Sequence, residues 1–535
     1  MYDLLIIGGG IVGCGCARDA AMRGLSVCLV EQNDIAFGTS SRSSKLVHGG
    51  LRYLEQGEFS LVFEAVTERR VLMDIAPHLV NPLGFLFPVY KKSRRGVFTV
   101  NLGMWLYDGL SLFRTPRIHR NLSATDVATE EPALVQTNLK GAPLYYDCAT
   151  DDARLTLENA MDATRVGAEI RTWTRVVGFR RDPSGRVTGA RVRDQLSGAE
   201  SDLEARVVIN ATGPWTDATR GLGQSHKPVL RPTKGVHIVV DHARLPVTNA
   251  VVCFHPTDGR ILFAIPWGDR TYVGTTDTDW QGDPALVAAD AADVKYLLDA
   301  ANSYFPASAL VDDDVIATWA GLRPLIAQDG TASSVSREHE VIVDPDGLIT
   351  VAGGKLTTYR KMSKDVVDRA VALLRLTAGL DHELREAHTA RIPLPGAVGW
   401  PEDDDHARVE AAIRAAGPVD GATAKLFAET YGTRGTDLAA RMRTNPALAV
   451  PLVEGRPERL VQVDWAVDME LAKTVTDVMV RRTQLYFRDH DQGLGAVDLV
   501  AARMAERLGW DEARTTREVL AYQEEVARSR AWRSA

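Results

Sequence analysis

The 535-residue sequence has no uninterrupted run of about 18 apolar residues, so no transmembrane helix is expected. Cysteine is scarce. Cys14, Cys16, Cys28, Cys148 and Cys253 are an odd number, with no CxxC pair and no Cys/His cluster. That argues against a disulfide scaffold or a structural zinc site, and for reduced thiols in a cytoplasmic protein. No metal site is expected. Basic charge is not in excess either: 62 Lys and Arg stand against 70 Asp and Glu, a formal net charge of -8. A general nucleic-acid binder would carry the opposite balance. No basic segment precedes the apolar stretch 4–17, which is dense in glycine, so it does not read as a signal peptide. Internal repeats and low-complexity tracts are missing. The remainder is ordinary for a globular chain, 45% hydrophobic and 25% charged. Its length suits roughly two to four domains with large cores.

The N-terminus reads strand, glycine turn, helix, strand. Leu4-Leu5-Ile6-Ile7 is a short apolar run of the kind found in buried parallel strands, residues 11–23 suit a helix, and Val27-Cys28-Leu29-Val30 is a second strand. Gly8, Gly10 and Gly13 form G-x-G-x-x-G between strand and helix, and Glu31 ends the second strand. In that context the motif predicts dinucleotide binding. Gly8 permits the turn, Gly10 lets the backbone approach a pyrophosphate, and Gly13 lets helix and strand pack closely. The free N–H groups of the helix start suit phosphates, and Glu31 suits a ribose. The motif alone does not choose between NAD and FAD. Asn210-Ala211-Thr212-Gly213-Pro214-Trp215 at the end of a strand, and Gly353-Gly354-Lys355-Leu356-Thr357-Thr358 before a predicted helix over 359–376, favour FAD. A glycine pair there can present backbone N–H groups to the cofactor. Further strands are expected at 207–210, 237–240, 261–265, 272–274 and 348–352. Pro393, Pro395, Gly396, Pro401 and the acidic run 402–405 predict a linker over 388–405. Residues 406–535 have helical spacing and predict a separate helical domain.

Several segments resemble the FAD-dependent, quinone-linked glycerol-3-phosphate dehydrogenase family. They are Thr39 to Leu54 (TSSRSSKLVHGGLRYL), Tyr146-Asp147-Cys148 with 151–155, Asn210 to Trp215, Gly321 to Leu325, and Gly354 to Arg360. The resemblance is strong over about residues 3–365 and weaker beyond. It implies an α/β fold: a Rossmann-like FAD domain of glutathione-reductase and D-amino-acid-oxidase type, a mixed β-sheet substrate domain, and the helical C-terminal domain. On this reading residues 1–387 interleave FAD-binding parts (about 1–80, 145–225 and 315–375) with substrate parts (about 81–144 and 226–314). Cofactor contacts are expected from Gly8, Gly10, Gly13, Glu31, Ser40, Ser41, Lys45, His48, Gly49, Gly50, Ala211, Thr212, Gly213, Trp215, Gly354, Lys355, Leu356 and Thr357. One branch of the family carries calcium loops; residues 489–494 faintly resemble one, but Leu494 and Val500 stand where Gly and a bidentate Glu are needed. An oxygen-using branch carries an added middle segment, and no obvious one is present here.

The implied reaction is oxidation of sn-glycerol 3-phosphate to glycerone phosphate, with hydride passing to flavin N5 and electrons to a membrane quinone. It needs a base for the hydroxyl proton and cations for the phosphate and the reduced flavin. Arg52 and Tyr53 follow a glycine pair, Arg323 lies between apolar neighbours, and Lys355 sits at a helix start where the dipole disfavours a cation. Arg323 and Lys355 are assigned to catalysis, and Arg52, Tyr53 and Arg337 to substrate binding. His237, on an apolar strand, is the expected base, and His255 is held in reserve for substrate or base. Use of oxygen by the same enzyme is one alternative, and a non-catalytic or RNA-modifying FAD scaffold is another. A homodimer is left open.

One segment carries a membrane expectation. Lys91, Lys92, Arg94 and Arg95 precede Phe98, Leu102, Trp105, Leu106, Leu112 and Phe113 at near-helical spacing, and Arg114, Arg117 and Arg120 follow. Such a helix either packs into the core or lies on an anionic membrane surface. A lipid-soluble acceptor favours the second, and with it a cytoplasmic protein held peripherally on the inner face of the cell membrane.

Overall fold

The computed structural model describes residues 1–50, 57–93, 96–111, 115–223, 227–327, 339–377, 379–380 and 383–534. The first sheet grows from the strand Tyr2–Ile7. Leu4 and Ile6 pack toward the helices Ile11–Met22, Asp152–Arg165 and Tyr359–Thr377, while Leu5 and Ile7 pack toward an antiparallel meander of Thr174–Arg181, Val187–Asp194 and Glu200–Asn210. Both faces are covered, which explains a continuous apolar run in place of alternation. Val27–Val30 and Glu200–Asn210 flank the first strand in parallel. Glu169–Arg171 and Ile349–Gly353 extend the sheet, and His339–Val343 closes it antiparallel.

The second sheet has eleven strands among the described residues. It runs from Thr278–Asp279 through Leu230–Asp241, Arg270–Gly274, Ile261–Trp267 and Ala250–Phe254 to Val80–Leu86, Leu139–Thr150 and Leu46–Val47. Strand Val315–Ile326 pairs along its length with Leu230–Asp241, placing Gly235 opposite Gly321 and His237 opposite Trp319. It therefore lies in this sheet, not with the FAD-binding segments assigned to 315–375. Motif likeness marks segments, whereas sheet membership is set by which backbone is free to pair.

Helices from His406–Ala416 to Glu512–Arg530 follow. Asp405, Asp420 and Asp511 cap three of them with side-chain carboxylates. Their apolar faces are continuous with one face of the second sheet through Trp319 and Phe487, so the helical region shares a core with it. The segment before them is buried in its middle, although its acidic run 402–404 is exposed. Leu394 is buried, and the Gly396 N–H donates to buried Glu158 at 3.1 Å. Proline and glycine there forbid a regular element but do not forbid burial. A buried charge cluster joins the two ends of the chain: Asp34 accepts from Arg481 at 2.5 Å and from both terminal nitrogens of Arg482 at 2.8 Å.

Candidate active site

The first strand ends at Gly8 (φ +112), where a Cβ would lie 2.5 Å from the Ala211 carbonyl oxygen. A Cβ on Gly13 would lie 1.9 Å from the Gly8 oxygen, so Gly13 packs the helix on the strand rather than lining the cleft. The helix Ile11–Met22 starts without a side-chain cap from Gly10. Its Ile11 N–H donates to Ser40 Oγ at 2.9 Å, and the Gly9 N–H donates to Glu31 Oε2 at 2.7 Å. The Asn33 N–H holds Oε1 at 2.8 Å, so both carboxylate oxygens of Glu31 are fixed. Burial pushes this carboxyl up, with the Gly9 and Asn33 amides opposing.

A cleft of about 1480 Å³ opens over this turn. Gly8, Gly10, Glu31 and Ser40 line one side, Ala211 to Trp215 another, and Gly354 to Leu356 the end. Gly354 adopts φ +92, a backbone conformation that side chains disfavour, and a Cβ there would push against the tip of Met362 at 2.2 Å. A second chamber of about 870 Å³ shares Thr39, Ser43, Pro324, Gly354, Lys355 and Leu356 with the first. His48, His237, Arg323 and Thr357 converge there, with Arg42, Ser44 and Thr275.

Strand register explains part of this convergence. His237 faces Gly274 across the sheet, where a Cβ would come 2.1 Å from the imidazole Cδ2. Nε2 of His237 lies 3.0 Å from Ser44 Oγ, and its ring stacks on Trp319. Burial foremost, then the Arg323 and Lys45 cations, holds His237 well below the ordinary histidine range, so it is neutral at physiological pH. A neutral imidazole can accept a proton. The Arg323 guanidinium donates to Asp277 Oδ1, Thr275 Oγ1 and the Thr276 carbonyl, each at 3.1 Å. Gly235 leaves it room, since a Cβ there would lie 2.5 Å from Arg323 Nη2. Lys355 precedes the turn Leu356–Thr358, which runs into the helix Tyr359–Thr377. Burial pushes the Arg42 guanidinium down to about 10, still charged at neutral pH.

Other expected residues stand elsewhere. Lys45 is buried behind the chamber with its Nζ 2.6 Å from Asp152 Oδ1, and Ser41 is turned toward the Gly38 carbonyl. The Gly49 N–H is bonded to Tyr107 and Asp147. Neither Gly49 nor Gly50 (φ +74) lines the two chambers. These residues shape the loop that carries Ser40, Ser43, Ser44 and His48. His255 lies apart, in a turn where it stacks on Tyr296 at 3.6 Å and accepts from the Thr257 N–H. Arg52, Tyr53 and Arg337 fall outside the described residues. Sequence reasoning did not single out Ser43, Ser44, Thr275, Asp277 or Trp319. The Thr/Asp run at 275–279, just after a strand, was the one available signal for two of them.

The chain matches the FAD dependent oxidoreductase model over residues 3–369, and the C-terminal domain of alpha-glycerophosphate oxidase over 387–515. It is 39% identical over 528 residues to glycerol-3-phosphate dehydrogenase 2 of Mycobacterium tuberculosis, covering 98% of this chain and 88% of that one. The aerobic glycerol-3-phosphate dehydrogenase of Staphylococcus epidermidis is 38% identical over 532 residues, 98% of this chain and 93% of the relative. The chain belongs to the FAD-dependent glycerol-3-phosphate dehydrogenase family. A solved member of this family, the Bacillus halodurans dehydrogenase complexed with FAD, is similar with a TM-score of 0.81 at 34% identity, covering 99% of this chain and 95% of that chain. The family's cofactor fits the residues present: Gly8 and Gly10 leave a bare turn beneath the cleft, the helix start faces it, and Glu31 is fixed at its side. FAD is the cofactor.

Proposed function

We propose that the protein oxidises sn-glycerol 3-phosphate to glycerone phosphate and passes the electrons to a quinone in the membrane. The observation that carries the first half is the second chamber: a neutral buried imidazole and cationic side chains line it, and it shares Lys355 and its neighbours with the dinucleotide cleft. Bound FAD supplies the two-electron acceptor. His237 takes the proton of the C2 hydroxyl, with its ring plane set by Trp319 and its Nε2 paired with Ser44. Arg323 offers a planar fork to the phosphate, oriented by Asp277 and Thr275. Lys355, which lines both chambers, adds positive charge where they join.

The electron-exit half rests on a surface. The helix Val97–Leu110 buries Val100, Met104 and Tyr107 but exposes Phe98 (81%), Leu102 (62%), Trp105 (52%) and Leu106 (46%). Phe59 and Phe63 on the helix Phe59–Ile75 and Ile118 are exposed as well, as are Lys91, Lys92, Arg117 and Arg120. Aromatic side chains bordered by cations suit an anionic membrane interface. Arg94, Arg95, Leu112, Phe113 and Arg114 lie outside the described residues. Among the described residues no helix is long and apolar enough to cross a membrane. On its inward side the same helix reaches the flavin-side loop, where the Tyr107 hydroxyl accepts from the Gly49 N–H at 3.0 Å. An acceptor at the membrane surface would then lie one helix away from that loop.

The test is anaerobic bleaching of the bound FAD by glycerol 3-phosphate, followed by reoxidation with a short-chain quinone or with air. Bleaching and rapid reoxidation by quinone are expected. No bleaching refutes the substrate, and stoichiometric peroxide with no response to quinone assigns the acceptor to oxygen.

A further inference from the structure

His237 is held by a layer of side chains that the proposed reaction does not itself use. His237 and Trp319 are cross-strand neighbours, stacked with ring centroids 4.6 Å apart and planes 14° off parallel. The Trp319 indole N–H donates to the Ser43 carbonyl at 3.1 Å, and the Tyr272 hydroxyl donates to the Ser44 carbonyl at 2.9 Å. The next residue, Lys45, is 2% exposed and adopts φ +52. Its ammonium lies 5.4 Å from the Trp319 ring centroid and 5.8 Å from those of Trp267 and Phe487. Phe487 comes from the helical C-terminal region, and its ring meets that of Trp319 edge-on at 5.6 Å.

We infer that Phe487 is a positioning residue for His237: it closes an aromatic cage around Lys45 and thereby fixes Trp319 and the Ser43–Ser44 backbone against the imidazole. The inference rests on the reading of His237 as the base, and it gives the helical region a part in the reaction. A stacked ring sets the plane of the imidazole, and the Ser44 hydroxyl sets its rotation. Both lean on a layer against which the rings of Phe487 and Trp267 pack. Without Phe487, water reaches the Lys45 ammonium and the Trp319 face.

The charged and titratable groups around His237 are Arg323 and Tyr272 on the two strands that pair with its own, Lys45 on the loop, and Arg42, His48 and Lys355 in the chamber. Asp277 answers Arg323, and Asp152 answers Lys45. Burial, Arg323 and Lys45 together keep the imidazole neutral. Water in the cage weakens the burial and screens Lys45, so the His237 pKa rises toward its ordinary value. The base works only above its pKa. The acidic limb of the flavin-reduction profile therefore moves to higher pH.

The experiment uses FAD-saturated enzyme and anaerobic flavin reduction by glycerol 3-phosphate from about pH 5 to 8. Phe487→Ala should slow the limiting rate roughly ten- to hundredfold, leave KM little changed, and shift the acidic limb upward. Phe487→Leu, which keeps most of the apolar volume, should recover most of both. A wild-type rate and limb, or a loss uniform across pH, overturns the inference. If Phe487→Ala does not fold, Trp319→Phe reads the same device: it keeps a ring on the imidazole but loses the bond to Ser43. An unshifted limb in that variant also refutes the role. His237→Gln separates the two readings. If it keeps the limb, the base assignment fails and takes the inference with it; if it abolishes the limb while Phe487→Ala behaves as wild type, the base stands and the positioning role does not.

Discussion

Replacing Arg323 tests phosphate recognition most directly. The guanidinium is oriented by hydrogen bonds of 3.1 Å to Asp277, Thr275 and the Thr276 carbonyl and sits in space that Gly235 leaves open. Losing a charge-assisted contact to an enclosed phosphate costs about 2–3 kcal/mol, or roughly 30- to 150-fold in kcat/KM. Arg323→Ala also leaves Asp277 with only the longer contact to Arg260 among the described residues, so some of its effect would be structural. Two companions remove that ambiguity. Arg323→Lys keeps the charge but not the fork, and should recover only part of the loss. Gly235→Ala keeps Arg323 itself but puts a methyl 2.5 Å from Nη2 and 2.6 Å from Thr275 Oγ1, so the flexible guanidinium must move. Displacement of a binding group by about 1 Å can cost up to about a hundredfold. All three are measured by anaerobic stopped-flow reduction of the bound flavin, with glycerol 3-phosphate and with glycerol. The phosphate ester should lose its advantage in each variant, while the very slow reaction with glycerol should barely change. Arg323→Ala with bound FAD and undiminished kcat/KM for the ester would refute the assignment.

Three further outcomes are expected. Gly10→Val places a branched side chain at the start of the cofactor-facing helix, beside Ser40 Oγ, and should release FAD; a variant that purifies with full flavin absorbance contradicts the assigned pyrophosphate turn. Asp34→Ala leaves the Arg481 and Arg482 guanidinia buried without their shared carboxylate and should cost about 3–5 kcal/mol in denaturant unfolding at neutral pH. Burial pushes the Asp34 carboxyl up, but Arg482 and Arg481 outweigh it and hold the group below the usual range, so its stabilisation is present above about pH 4 and fades below it; an equal gap between wild type and variant at lower pH would contradict this. Phe98→Glu combined with Trp105→Glu should abolish co-sedimentation with anionic liposomes yet leave bleaching by glycerol 3-phosphate intact, and equal binding by wild type and variant removes this helix as the anchor.

The sequence alone determined the parts of the fold that rest on local physics. The run 4–7, the glycine turn and Glu31 specify a strand, a bare backbone and a carboxylate within one short βαβ unit, where each residue's role follows from its neighbours. His237, Arg323 and Lys355 were legible as candidates because a cation or imidazole among apolar or glycine neighbours is chemically conspicuous. Tertiary structure decided what each of them faces. Lys45, in the same motif as Ser40, turns away to Asp152, while His255, the reserve candidate just past a strand end, is spent on Tyr296. Glycines opposite a site residue acquire meaning only through strand register: Gly274 makes room for His237, and Gly235 for Arg323. The exposed face of the helix Val97–Leu110 has the same pattern as a core helix; only the packing of Tyr107 and Met104 inward shows which side is left to solvent. Nothing near Asp34 announces Arg481 or Arg482, 447 and 448 residues away. Sequence periodicity fixes elements because backbone hydrogen bonding is local. The pairing of buried charges and the enclosure of the imidazole depend on contacts between distant segments, and only the packed chain specifies them.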